Sequence, residues 1–248
     1  MSYSIERPVV DAHAPTTRTG LDAGRFSGAA AKSYDARIRR MVPGYSVLQE
    51  LIAPVLTTRI GRGEASILLS GVGTGAELSE LAFQSTHWCF TAVDPSPDML
   101  AIAGRRAEML GCIEQVDFRV STLAAYHAHR PHDAALSVLV AHFLPDNGEK
   151  MQYFRDLADR MKPGAPLILA DLTAVYEADS RPALSRWVES VSPDPSMAKR
   201  VVERLARDFH PVSEARLADM LDEAGFCAPV RFFQALDIAA YVTSKRPG

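Results

Sequence analysis

Three glycines at alternate positions, Gly71, Gly73 and Gly75, follow the apolar run Ile67-Leu68-Leu69-Ser70 and precede Ala76-Glu77-Leu78, where an amphipathic pattern begins. The stretch reads as strand, tight turn and helix. Residues without a Cβ let the backbone turn sharply and pass close to a ligand, and the N-terminus of the next helix offers unpaired N–H groups. A second apolar run, residues 88–93, ends in Asp94-Pro95-Ser96-Pro97, and a carboxylate at a strand end can accept hydrogen bonds from ribose hydroxyls. A third run, residues 134–140, empties into Ala141-His142-Phe143. Imidazole is the side chain whose unperturbed pKa lies nearest neutrality, so His142 is a candidate base beside a nucleoside site.

These side chains need a common edge to stand on. From Ile67 onward apolar runs alternate with helical patterns, as in a parallel sheet with helical crossovers. Ser96 is placed to cap a helix with Pro97 at its first position and Met99, Leu100, Ala103, Ala107 and Leu110 on its apolar face. Further strands fall at residues 116–120, 134–140 and 167–171, with a helix over 147–161 and a Lys162-Pro163-Gly164 turn before the last of them. Two short helices, broken at Pro43-Gly44, precede the first strand, and a helix over 213–223 and strands near 230–234 and 238–244 close the sheet. Two helical stretches around Ser192-Pro193-Asp194-Pro195 form an insertion over about 179–210. Residues 1–28, mixing proline and glycine with threonine and serine, read as a flexible arm, and 29–248 as a single domain.

Glycine spacing alone leaves the ligand open, because Gly71-x-Gly73-x-x-Ala76 also satisfies the permissive dinucleotide pattern with Asp94 at a workable distance for NAD. Order along the chain separates the two. The glycine turn, the acid closing the second strand, and Met161-Lys162-Pro163-Gly164 leading into Leu167-Ile168-Leu169-Ala170-Asp171 together resemble the class I S-adenosylmethionine-dependent methyltransferases over residues 30–244. A looser likeness, carried by Met41-Val42-Pro43-Gly44-Tyr45-Ser46 and Glu223-Ala224-Gly225-Phe226, is to the carboxy-S-adenosylmethionine synthase branch.

The resemblance implies a doubly wound α/β fold with a seven-stranded, mostly parallel sheet, a final antiparallel strand, N-terminal helices, and the 179–210 insertion as a lid over the active site. It implies S-adenosyl-L-methionine as cofactor, S-adenosyl-L-homocysteine as product, and a small-molecule methyl acceptor attacking through O, N or C. It places the cofactor against Tyr45, Gly71, Val72, Gly73, Gly75, Asp94, Pro95, Met99, Thr122, Leu123 and Val138, with Asp94 on the ribose and Thr122 and Leu123 at the adenine. Tyr45 also reads as a core aromatic, and Asp94 as a helix-capping acid. The family commonly has an acid two positions before the first glycine, and here that position is Leu69.

Besides His142, the candidates for acceptor chemistry are Tyr34, one helical turn from Arg37, and Arg200, which shares a helix face with Arg204 and Arg207 in the lid. An arginine there can clamp a carboxylate, although such a set more often marks a solvated face. Two alternatives stay open: a carboxy-S-adenosylmethionine synthase-like enzyme, against which Val138 counts because that branch has asparagine there, and a non-catalytic adenosylmethionine-binding subunit.

Composition bounds the rest. The 248 residues are 47% hydrophobic and 23% charged with a net charge of −3 and a pI of about 6.2, which offers no global basic surface for nucleic-acid phosphates. His127, His129 and His132 share a loop without a nearby cysteine or acid pair, so no metal site is read there, and the loop is taken as exposed. Cys89, Cys112 and Cys227 form no C-x-x-C pair, and two of them belong to buried runs; a reducing cytoplasm fits. No run approaches the roughly 20 apolar residues of a membrane span, so a soluble protein is expected, with a homodimer left open.

Overall fold

The computed structural model describes residues 26–173, 177–192, 194 and 196–248. Three helices, α1 (Gly28–Lys32), α2 (Tyr34–Met41) and α3 (Tyr45–Ile60), precede β1 (Ala65–Ser70), one more than the sequence pattern suggests. On α3 the buried residues Tyr45, Leu48, Gln49, Ile52, Ala53 and Leu56 recur at three- and four-residue intervals, so one stripe of the helix faces the sheet. Next come α4 (Leu78–Leu81), β2 (Trp88–Asp94), α5 (Pro97–Met109), β3 (Val116–Val120), β4 (Ala134–Val138), α6 (Glu149–Asp159) and β5 (Pro166–Leu172). The chain closes with α7 (Glu177–Val191), α8 (Met197–Asp208), α9 (Glu214–Glu223), β6 (Val230–Ala235) and β7 (Ile238–Ser244).

The seven strands form one sheet in the order β3-β2-β1-β4-β5-β7-β6. Strands β1 to β5 pair in parallel and β7 runs antiparallel to both β5 and β6. Strand order reverses between β1 and β4, so the carboxyl ends of five parallel strands gather at one edge with a crevice at the switch point. Two apolar layers cover the sheet. One joins α6 and α9 through Phe154, Leu157, Leu217 and Met220, and the other joins α3, α4 and α5 through Ile52, Leu56, Leu78 and Leu100.

Three local departures from the sequence pattern bear on the site. The apolar run expected to continue as strand through Val140 stops at Val138, because Leu139 takes a left-handed conformation (φ 58°) and donates its N–H to the Ala170 carbonyl at 2.7 Å. The helix after the glycine turn is a single turn of four residues. The N-terminal arm lies outside the described residues up to 25, but residues 26–28 are fastened to α5: Ser96 Oγ donates to the Phe26 carbonyl at 2.5 Å and the Gly28 N–H donates to Asp98 at 2.7 Å. Two minor expectations also change. Cys89 is exposed, lying just ahead of the first β2–β3 pairing at Phe90, and His132 is buried between Ser66 and Tyr126.

Helices α7 and α8 pack on each other through Leu184, Val188, Ala198 and Val201, a cluster separate from the sheet layers. Burying an aliphatic side chain of this size is worth ~1.5–3 kcal/mol, enough to hold the two helices together as a unit. Trp187 Nε1 donates to the Arg40 carbonyl at 3.2 Å and ties this unit to α2, across the carboxyl edge of the sheet. Among the described residues no helix is long and apolar enough to cross a membrane.

Candidate active site

The glycine turn is held by the strand beside it. The N–H groups of Gly71 and Val72 both donate to the Val93 carbonyl, at 2.8 and 3.2 Å, and Gly73 donates to Asp94 Oδ2 at 2.9 Å. The other carboxylate oxygen, Oδ1, accepts the Ser96 N–H at 2.8 Å, while Ser96 Oγ accepts from Met99 N–H and caps α5. Asp94 thus clamps the glycine turn to the start of α5. Burial pushes its pKa up, and the two N–H donors pull against that push. Because these turn amides are spent internally and α4 is one turn long, the turn offers a close backbone surface more than an anion nest. That suits a nucleoside better than a dinucleotide pyrophosphate.

On the other side of the turn a small cavity is lined by Tyr34, Tyr45, Gly71, Gly73, Thr74, Glu77, Val138 and Leu139. Its rim is braced by polar contacts: Thr74 Oγ1 donates to Asp35 Oδ1 at 2.5 Å, and Asp35 pairs with Arg106. Burial and the neighbouring Glu77 raise both tyrosine pKa values, so Tyr34 and Tyr45 present neutral hydroxyls. Glu77 is 7% exposed and accepts a hydrogen bond from Gln49 Nε2 at 3.1 Å. Burial is the largest influence on its carboxyl and pushes the pKa up.

The second, larger cavity opens where α2, the α7–α8 unit and the carboxyl ends of β4 and β5 meet. Phe26, Ile38, Met41, Phe143, Leu184, Val201 and Phe209 give it an apolar wall, and Tyr34, Arg37, His142, Arg204 and Asp237 are its polar members. His142 sits in the helical turn Ala141–Phe143, which follows the kink at Leu139. Its Nδ1 meets Asp171 Oδ1 at the end of β5, with both side chains almost fully buried, and its ring packs against Phe143 and, edge to face, Phe209. A carboxylate only accepts, so Nδ1 carries the proton and Nε2 is the basic nitrogen. Leu139 lines both cavities, and a non-glycine residue in this strained conformation is the sort of feature that clusters at functional sites.

Residues 67–164, which span the glycine turn, Asp94, β4 and His142, match the methyltransferase domain family. This stretch is a class I adenosylmethionine-dependent methyltransferase domain. Solved structures share the fold of this methyltransferase across nearly its whole length. A possible exported protein from Bordetella parapertussis is 18% identical, covering 93% of this chain and 81% of its own, with a TM-score of 0.65. An O-methyltransferase family 2 protein from Planctomyces limnophilus, in complex with apigenin, is 16% identical and covers 88% of this chain with a TM-score of 0.61, and the present chain spans 63% of its length. The DhpI complex with S-adenosylhomocysteine is 19% identical, covering 91% and 94% of the two chains, with a TM-score of 0.58. No curated protein sequence matches the chain.

The methyltransferase's cofactor is S-adenosyl-L-methionine, and the residues at the turn fit it: two buried acids flank the glycines, and Gln49 Oε1 is buried without a hydrogen-bond partner among the described residues. Of the residues picked out in the sequence, Tyr45, Gly71, Val72, Gly73 and Val138 line the small cavity and Tyr34 lines both. Gly75 continues the turn toward α5, where Ala103 packs against it. Thr122 and Leu123 follow β3 next to Asp94, through a Ser121 N–H bond to the Asp94 carbonyl. There the Thr122 hydroxyl accepts from Ala125 N–H, and the Leu123 side chain is buried in the layer under α6. Met99 is buried behind Asp94, and Pro95 is exposed.

Arg200 is not brought to the cavity. It is paired with Asp194 and Ser196 at the start of α8, and Arg204, one turn further on, lines the cavity in its place. Sequence reasoning missed Asp171, Glu77 and the role of Phe209. Asp171 had a readable signal, since it lies one residue from the end of the fifth strand, much as Asp94 ends the second. Leu69, the position where the resemblance implies an acid, is 2% exposed and packed in the layer under α3 and α5.

Proposed function

We propose that this methyltransferase methylates a hydroxyl on a small, largely apolar acceptor bound in the larger cavity, with His142 as the general base. The observation that carries this is the buried His142–Asp171 pair at the wall of an aromatic-lined cavity. The cofactor, when bound, supplies a methyl group already activated on a sulfonium, so the protein's work is to align the acceptor and accept its proton. Nε2 of His142 takes the proton of the acceptor O–H, and the Asp171 carboxylate, fixed by the Leu172 N–H at 2.8 Å, stabilises the imidazolium that results. Phe143 and Phe209 fix the ring plane and keep water from it. A phenolic hydroxyl suits this arrangement because it ionises within reach of an imidazole, and the apigenin complex of a structural relative supports a planar phenol as acceptor.

A second reading, the carboxy-S-adenosylmethionine synthase-like enzyme, is favoured only by Arg37 and Arg204 at the cavity wall, where they can receive a carboxylate. The test is adenosylhomocysteine formation from a panel of phenols and carboxylic acids. His142→Gln is expected to lower turnover by roughly 10²- to 10⁴-fold while adenosylhomocysteine affinity stays intact. Unchanged turnover with the best acceptor refutes the base assignment.

A further inference from the structure

We infer that Glu77 binds the cationic amino group at the amino-acid end of the cofactor, a task that the buried Leu69 cannot perform in this chain. The inference rests on the cofactor of the methyltransferase reading and adds a residue to it.

Glu77 lies two residues beyond Gly75, just before the single turn of α4, so its backbone belongs to the glycine turn and not to an outer helix face. Its side chain lines the cavity between Tyr34 and Tyr45 and also the small space beneath Ser70, Gly71 and Val138. It is 7% exposed, and the side-chain hydrogen bond it receives comes from a neutral amide, Gln49 Nε2. Arg106, a cation that influences it, is already paired with Asp35.

A buried carboxylate that faces a cavity with only neutral donors, its own backbone N–H and the Gln49 amide, is poorly compensated, and a cation entering the cavity relieves that. Gln49 adds a second acceptor. Its Nε2 is turned toward Glu77, which leaves Oε1 of a 5%-exposed residue without a partner among the described residues. One carboxylate and one orphaned amide oxygen from the same contact match an ammonium, which has three N–H donors to distribute.

The position relative to Asp94 supplies the direction. Asp94 grips Gly73 from the β2 side, and Glu77 lies across the turn on the α2–α3 side. A nucleoside whose ribose is on Asp94 therefore runs its 5′ substituent over Gly71 and Gly73 toward Glu77. Leu69 offers no alternative acid, being packed among Ile67, Leu136 and Leu81.

The experiment compares two ligands by calorimetry: adenosylhomocysteine, which carries the amino-acid end, and 5′-methylthioadenosine, which has the nucleoside thioether without it. Glu77→Gln is expected to weaken adenosylhomocysteine by roughly tenfold to a hundredfold, the range for losing one hydrogen bond to a charged group, and to leave methylthioadenosine within about twofold. Equal weakening of both ligands, or of neither, overturns the assignment. Should Glu77→Gln fail to fold, the wild-type protein still decides: it must prefer adenosylhomocysteine to its desamino analogue by at least about tenfold, and equal affinity overturns the inference. Wild-type protein that binds neither adenosylhomocysteine nor methylthioadenosine refutes the cofactor assignment itself, a result distinct from a failure of Glu77.

Discussion

Gly71 and Gly73 both have positive φ, yet the structure gives them different duties, and alanine substitution separates them. At Gly71 (φ 69°) a Cβ would stand 2.5 Å from Val140 Cγ2, too close for any real contact. At Gly73 (φ 54°) the nearest heavy atom is the Gly71 carbonyl oxygen at 4.0 Å. Left-handed backbone costs a residue with a Cβ ~1–2 kcal/mol at either site. Overpacking against Val140, which follows the constrained Leu139, adds about 1–3 kcal/mol at Gly71 alone. Gly71→Ala is therefore expected to lose about 2–5 kcal/mol of stability and Gly73→Ala about 1–2 kcal/mol. At roughly 2–4 °C per kcal/mol for a domain of this size, the two melting temperatures should differ by about 2–12 °C.

Ligand binding should rank them the other way. Both glycines line the small cavity, but a Cβ at Gly71 is directed at Val140 whereas one at Gly73 meets open space that the nucleoside needs, so adenosylhomocysteine affinity should fall at least about tenfold in Gly73→Ala. Thermal melts without ligand and calorimetry with adenosylhomocysteine measure the two effects. If Gly73→Ala melts below Gly71→Ala, or binds adenosylhomocysteine as the wild type does, the division of labour between the two glycines is refuted.

Two further outcomes follow from the same geometry. Arg204→Ala should raise KM for carboxylate-bearing acceptors by roughly tenfold or more, whereas Arg200→Ala, which breaks the exposed contacts with Asp194 and Ser196 at the start of α8, should leave acceptor kinetics and adenosylhomocysteine affinity unchanged; equal effects from the two would discard the assignment of Arg204 to the cavity. Alkaline stability should depend on Tyr153, which is buried with its hydroxyl 2.7 Å from Ser137 Oγ and 3.0 Å from Ser70 Oγ and has its pKa pushed up to about 12. Below pH ~10 the residue is neutral whether the chain is folded or not; above it the unfolded chain ionises first, so stability falls by about 1.4 kcal/mol per pH unit until the folded pKa is reached. Urea midpoints between pH 9 and 11.5 should decline less steeply in Tyr153→Phe, and an unchanged slope would remove Tyr153 from the account.

The sequence by itself determined the α/β architecture and much of its edge. The alternation of apolar runs and helical patterns placed every strand, with β3 and β7 ending on the residues the pattern indicates. The glycine triplet, Asp94, the Ser96 cap and His142 were legible because each depends on a few neighbouring residues: a missing Cβ, an acid at a strand end, a hydroxyl before Pro97. The likeness to a family then ordered these signals.

Only the tertiary structure decided which side chains meet. His142 and Asp171 are 29 residues apart, and their contact exists because β4 and β5 are adjacent parallel strands whose register sets the last residue of β4, Val138, beside Ala170, the residue before Asp171. Arg200 and Arg204 share a helix face in sequence, but one turn of α8 separates an exposed ion pair from the cavity wall. Glu77 reads as the first polar residue of a helix, and becomes a cavity residue because α4 is short and α3 brings Gln49 against it. Leu139 reads as strand, and turns out of it where its N–H reaches Ala170 across the sheet. Periodicity and propensity report forces acting within a few residues, whereas these contacts depend on the packing of elements distant in the chain, where a shift of one residue or one helical turn changes the partner.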